Sequence, residues 1–280
     1  MRQSFPGSHL VAWRDFIIEI VEEGVRRHGD CLDGLREEVL RIAALSRGWD
    51  DPQTLEFFRR HFKIGPLYEA NALALVYQDD RLVGVAGTVN DWAIPEGSIV
   101  HLCSLGLLPQ VQGRGFLPAF MSLLWLGTLR DPTISHNLQR GRLFTTAITQ
   151  SPYIIGLMQR IAEVYPCPDR AVPRPEEQAV ARAVLARFDP EIPFDDIGFI
   201  LREECLFRYR KLPMSLDRRL TQFCTERLRI ESGDVFMAVG TVRPEKLLPF
   251  IERRRGLLDV SDVMLEAVLT PAERVLEIGP

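Results

Sequence analysis

Residues 105–116 read Leu-Gly-Leu-Leu-Pro-Gln-Val-Gln-Gly-Arg-Gly-Phe. The apolar half is what a buried strand supplies, and the rest is a short turn running into a helix near Leu117. Two glycines with Arg114 between them let successive backbone N–H groups line a concavity. The helix N-terminus behind them adds partial positive charge, so this junction suits a phosphate. A strand that must feed a helix at such a turn restricts the chain to α/β or α+β layouts. A Gly-x-Gly turn alone occurs in many such proteins, so its neighbours decide.

Those neighbours form an order. Ala72–Tyr77 and Leu82–Val89 read as paired strands joined by Gln78-Asp79-Asp80-Arg81. Ser98–Leu108 reads as a further strand and Pro118–Arg130 as a helix, with Pro118 tolerated in its first turn. Arg142–Thr149 reads as a strand and Pro152–Val164 as a helix. With the loop at Gln112-Gly113-Arg114-Gly115, this order resembles the core of the GNAT superfamily of N-acyltransferases. Two registers of its Gln/Arg-x-x-Gly-x-Gly/Ala signature fit: Gln110-x-x-Gly113-x-Gly115 by letters, Gln112-x-x-Gly115-x-Leu117 by spacing from Pro109. The second is preferred, because distance from the strand sets which amides face a pyrophosphate; Leu117 then replaces the usual small residue.

The resemblance implies an α+β fold: a GNAT-like mixed, mainly antiparallel sheet flanked by helices, with helical extensions at both ends. It implies acetyl-CoA or another acyl-CoA as co-substrate. Gln112, Gly113, Arg114, Gly115, Phe116 and Leu117 would hold the pyrophosphate, and backbone amides of Leu107 and Leu108 the pantetheine arm. Gly106 fits a bulge or close approach nearby. The reaction implied is direct attack by a small-molecule amine on the thioester. That needs a base for the ammonium and a proton for the leaving thiolate. The family's carboxylate slot holds Ile99 here, so His101, two residues along the same strand face, and Asp91 are the candidate bases. The family's tyrosine slot holds Met158 and its asparagine slot Ser151, leaving Tyr153 as the nearest phenol. Thr149 and Ser151 read as helix caps or substrate contacts. A version of the fold fed by acyl carrier protein would need a basic rim, for which Arg114, Arg140 and Arg142 are candidates. A non-catalytic acyl-CoA sensor is the alternative outside enzymology.

The flanks read mainly as helical. Residues 9–46 show helical spacing in two pieces and contain no convincing first strand, and Pro52–His61 follows Asp51 as cap. The expected division is 1–66 as an N-terminal helical segment, 67–243 as the core and 244–280 as a helical tail that caps the domain or mediates homodimerisation. Within the core, Glu176–Phe188 is an amphipathic helix, and Phe199–Phe207 and Asp234–Val242 are strands separated by a helical insertion, Ser215–Arg229. With 34 basic against 38 acidic residues, the net charge of −4 gives no field favouring nucleic acid. Five cysteines without paired spacing argue against a disulfide framework or a metal site. Phe116–Gly127, the longest apolar stretch, is too short to span a membrane. The expected location is the cytoplasm.

Overall fold

The computed structural model describes residues 5, 8–22, 29–61, 70–204 and 208–255. Its strands are β1 (His9–Trp13), β2 (Phe16–Glu22), β3 (Ala72–Gln78), β4 (Arg81–Ile94), β5 (Gly97–Leu107), β6 (Leu143–Thr149), β7 (Ala162–Tyr165), β8 (Phe194–Asp195), β9 (Ile200–Leu201) and β10 (Val235–Val242). Its helices are α1 (Gly29–Ser46), α2 (Pro52–His61), α3 (Phe116–Thr128), α4 (Pro132–Gln139), α5 (Pro152–Met158), α6 (Pro175–Phe188), α7 (Arg218–Arg227) and α8 (Pro244–Arg255). One sheet runs β1-β2-β3-β4-β5-β6-β10-β9-β8, with β7 also paired to β10. All pairings are antiparallel except β5 with β6.

Both faces of the sheet are covered. Every residue of β3 from Ala72 to Tyr77 is buried, as a strand between two helical layers must be. Along β10 the alternation sorts side chains into two cores. Phe236, Ala238 and Val242 join the cluster containing α3, while Val235, Met237 and Val239 join that under α6. Asp79 and Asp80 both take positive φ (48° and 59°), the left-handed pair that a two-residue hairpin turn requires.

Three sequence expectations are corrected. Residues 9–22 are a hairpin, not a helix, and pair with β3 in the same sheet. Phe16, Ile18 and Ile20 alternate inward; Ile17, Ile20 and Val21 also fit helical spacing, but β-branched residues pack better on a pleated surface. The first strand that the sequence seemed to lack is therefore present. The helix from Pro152 ends at Met158, and Ala162–Tyr165 becomes β7, with Ala162 and Val164 inward. The strand expected over Phe199–Phe207 pairs only at Ile200–Leu201 before Glu203 turns into the left-handed region (φ 57°); residues 205–207 lie outside the described residues. The tail is helical through Arg255, and its remainder also lies outside them.

Gly97 fixes where β5 begins against β6. Its φ is +153°, and a Cβ there would fall 1.8 Å from the carbonyl oxygen of Arg142. The same carbonyl accepts the Ser98 N–H at 3.0 Å. Gly97→Ala is expected to lose at least ~2 kcal/mol by combining backbone strain with overpacking. Urea unfolding of the two proteins measures this, and an unchanged midpoint would contradict the assigned register.

Candidate functional site

The site begins where two strands part. β5 pairs with β6 from Ser98↔Leu143 to Leu102↔Ala147 and no further, although β5 continues to Leu107 and β6 to Thr149. On its other edge β5 stays paired with β4 as far as Gly84↔Leu107. Between Cys103 and Gly106 β5 carries one more residue than β4 opposite it, a bulge that bends and twists the strand. Gly106 makes the close approach expected of it: a Cβ there would lie 3.0 Å from Cγ2 of Ile42 on α1.

The gap opens into a cavity of about 290 Å³. Its walls come from Leu105–Leu107, the loop residues Gln112, Gly113 and Gly115, the start of α3, Ser151 and Tyr153 at the start of α5, and Tyr209, Pro213 and Met214. The loop at its end has the geometry expected of an anion cradle. Gly113 and Gly115 adopt left-handed φ of 75° and 86°, and the space where each Cβ would be is open. Gln112 turns back, donating from Nε2 to the Leu107 carbonyl at 2.8 Å. Among the described residues, the amides of Gly113 to Leu117 donate to no other backbone carbonyl. They stand at the N-terminus of α3, where the helix dipole favours negative charge.

Two expected loop contacts are corrected. The Leu108 amide is committed to the Val83 carbonyl at 2.9 Å, so it has no N–H left for a pantetheine arm. The Arg114 guanidinium turns toward the β1–β2 hairpin, 3.8 Å from Asp15 and over the ring of Phe16. The Phe116 ring is core, packed edge-on against Trp13 and Phe16, while its backbone borders the cavity.

The candidate acid–base residues separate. Tyr153 lines the cavity. His101 sits on the face beneath α6, buried, with Nδ1 2.9 Å from Thr146 Oγ1 and its ring 4.8 Å from that of Phe188. Burial, helped by the nearby Arg187 charge, pushes its pKa down to about 3. Asp91 lies 3.4 Å from Arg187, whose guanidinium also covers Trp92. Neither His101 nor Asp91 borders the cavity. Arg142 binds the carbonyls of Pro95 and Glu96, at the Gly97 end of β5 and so at the far end of the strand from the loop. Arg114 and Arg142 thus form no common rim.

Ser151 caps α5, accepting the Ile154 N–H at 3.4 Å, while Thr149 Oγ1 accepts the N–H of Ser151 itself at 3.0 Å and so holds the capping residue. Sequence reasoning missed the roof. Residues 208–214 cross the cavity because distant partners pin them: Trp49 Nε1 donates to the Arg208 carbonyl at 2.7 Å, and Arg210 N to the Arg47 carbonyl at 3.0 Å. At the other end Tyr153 N donates to the Pro213 carbonyl at 3.3 Å. The only signal in the sequence was a tryptophan next to a helix end.

No family model matches the chain, and no curated protein matches it. Among solved structures it is similar to a putative acetyltransferase from Pyrococcus horikoshii, at 14% identity and a TM-score of 0.32 over 55% of this chain and 46% of that one. A probable N-acyltransferase from Enterococcus faecalis matches at 11% and 0.32, over 53% and 32% of the two chains. A GCN5-related N-acetyltransferase from Kribbella flavida matches at 15% and 0.30, over 67% and 40%. The alignment spans less than half the length of each of these three proteins. The chain itself is a mixed, mainly antiparallel sheet flanked by helices, with one parallel pair, a splay after Leu102 and a glycine loop opening α3.

Proposed function

We propose that this protein is an N-acyltransferase that takes an acyl group from acyl-CoA, acetyl-CoA being the simplest donor, and passes it to the amine of a small molecule by direct attack. The observation that carries this reading is the continuity of the gap beside Cys103–Leu107 with the open amides at Gly113–Leu117. A neutral amide-bearing arm matches the unpaired strand edge, and a pyrophosphate matches the helix N-terminus. Tyr153 is the residue that we assign to protonating the leaving thiolate. His101 and Asp91 are assigned structural parts: the first as a neutral hydrogen-bonded ring under Phe188, the second as the partner of Arg187. The competing reading is an acyl-CoA-binding protein without turnover, favoured by the lack of a carboxylate among the described residues lining the cavity. Release of free thiol separates the two.

Micromolar affinity corresponds to about 8 kcal/mol. Hydrogen bonds to a charged group contribute ~1.5–3 kcal/mol each, so three loop amides on a pyrophosphate would supply more than half of it. Acetyl-CoA is therefore expected to bind with micromolar Kd by calorimetry. Gly115→Glu, which places a negative charge among those amides, is expected to weaken it at least about 100-fold. A variant that stays folded by circular dichroism yet binds as tightly as the wild type would refute the loop assignment.

The structural assignment of His101 has its own signature. Its folded pKa of about 3 lies below the unfolded value near 6.5, so the unfolded chain binds the extra proton between those limits. Stability should therefore fall as pH drops below 6.5, by about 2 kcal/mol between pH 7 and pH 5. Asp234 and Glu163, both held at about 2, lose their contribution only as pH falls below the ordinary carboxylate range. Urea titrations at several pH values should show the slope flattened in His101→Gln, and an equal slope would contradict a neutral buried ring.

A further inference from the structure

The acceptor can be narrowed, resting on the acyl-CoA reading above: we infer that it is a small aromatic amine, which reaches the thioester uncharged, and not an alkylammonium. The cavity borders the parted end of β5 at Leu105–Leu107. On the opposite face Ile99, Phe144 and His101, in the paired part of the strands, are buried under α6, with Phe188 laid against the imidazole. The acceptor is therefore placed in the cavity that houses the donor.

Among the described residues lining that cavity there is no aspartate, glutamate, histidine, lysine or arginine, so it offers a cation no counter-charge there. Its small polar side chains are held by neighbouring backbone: Ser46 Oγ donates to the Ala43 carbonyl at 3.0 Å, Ser151 Oγ accepts the Ile154 N–H, and Gln112 Nε2 donates to the Leu107 carbonyl. The phenols of Tyr153 and Tyr209 remain. An alkylammonium, with a pKa like that of lysine near 10.4, would have to be desolvated with no counter-charge, and then deprotonated with no carboxylate or imidazole, among the described residues lining the cavity. An aromatic amine shares its lone pair with the ring, so it is unprotonated at neutral pH and needs neither service. Its flat apolar body also matches the walls, which include Tyr153, Tyr209, Met214, Leu105 and Leu117.

The chemistry closes without a further reactant. The amine lone pair forms the N–C bond at the thioester carbon, and the C–S electron pair leaves with sulfur. The proton shed by nitrogen ends on that thiolate, giving amide and free thiol.

Isomeric acceptors test this with the full chain. p-Toluidine and benzylamine have the same atoms and differ in whether nitrogen is bonded to the ring. With acetyl-CoA as donor and thiol release corrected for the uncatalysed rate, kcat/KM is expected to favour p-toluidine at least about 10-fold at neutral pH. Its pH profile should stay flat from neutrality to about pH 9, since no ammonium must titrate. Equal or better use of benzylamine, or a rate rising about tenfold per pH unit, would overturn the inference. Acetyl-CoA calorimetry is run beside the assay. Donor binding with turnover of benzylamine but not of p-toluidine overturns the acceptor assignment alone. Donor binding with no thiol release from either amine points to the binder without turnover and removes this inference with the transferase reading, and no donor binding removes the coenzyme reading as well.

Discussion

The site depends on one constraint, that β5 keeps its hydrogen bonds to β4 while losing those to β6 after Leu102. A bulge at Cys103–Gly106 turns the strand; at its start Gly97 leaves no room for a Cβ beside the Arg142 carbonyl, and at the bulge Gly106 makes a close approach to Ile42. A buried backbone group left without a partner costs about 1–3 kcal/mol. The sheet can carry such groups here because they border a cavity, where water or the amides of a bound arm satisfy them. The same departure that opens the gap carries the chain into the loop before α3, so the neutral and anionic ends of the site are set by one local event.

The roof depends on a second anchor some distance away. Asp234 is fully buried and receives Arg202 at 2.6 Å and Arg229 at 3.0 Å. Burial alone would raise its pKa, but the hydrogen bonds from the two arginines prevail and hold it at about 2. The Asp234 carbonyl accepts from Gln150 Nε2 at 3.0 Å, and Gln150 Oε1 accepts the Tyr209 N–H at 3.3 Å. The end of β6, the start of β10 and the strap over the cavity are thereby tied at one point. Removing one partner of such a buried cluster generally costs more than the cluster contributes, because a charge is left uncompensated.

The parts legible in the sequence were those with a local physical signature. The Asp79-Asp80 turn, the Asp51 cap accepting the Thr54 N–H at 2.9 Å, the glycine loop and the Ser151 cap each act within a few residues. The N-terminal hairpin was misread because a short run such as Phe-Ile-Ile-Glu-Ile-Val fits either period. What settles it is a partner, β3, more than fifty residues away, together with the buried Glu19 carboxylate that accepts from the Phe5 amide at 2.8 Å and from Ser8 Oγ. The candidate site divided in the same way. The loop depends on backbone freedom that glycine announces, whereas the position of His101 depends on Phe188 arriving from α6. Strand parity placed the imidazole on the correct face, but parity does not say whether a helix covers that face.

Charge is distributed along the site in a way that matches the coenzyme assigned to it. The dipole of α3 and the open amides concentrate positive potential at the loop, while the described residues that line the cavity are neutral. In a low-dielectric gap an ionised side chain would need a partner or would shift its pKa until it became neutral. His101 has followed the second course under α6, and its depressed pKa records how dry that side of the sheet is. A site built this way tunes few protonation states of its own. Its selectivity then falls to the reactants: a donor must bring the negative charge that the loop wants, and an acceptor must arrive without one of either sign.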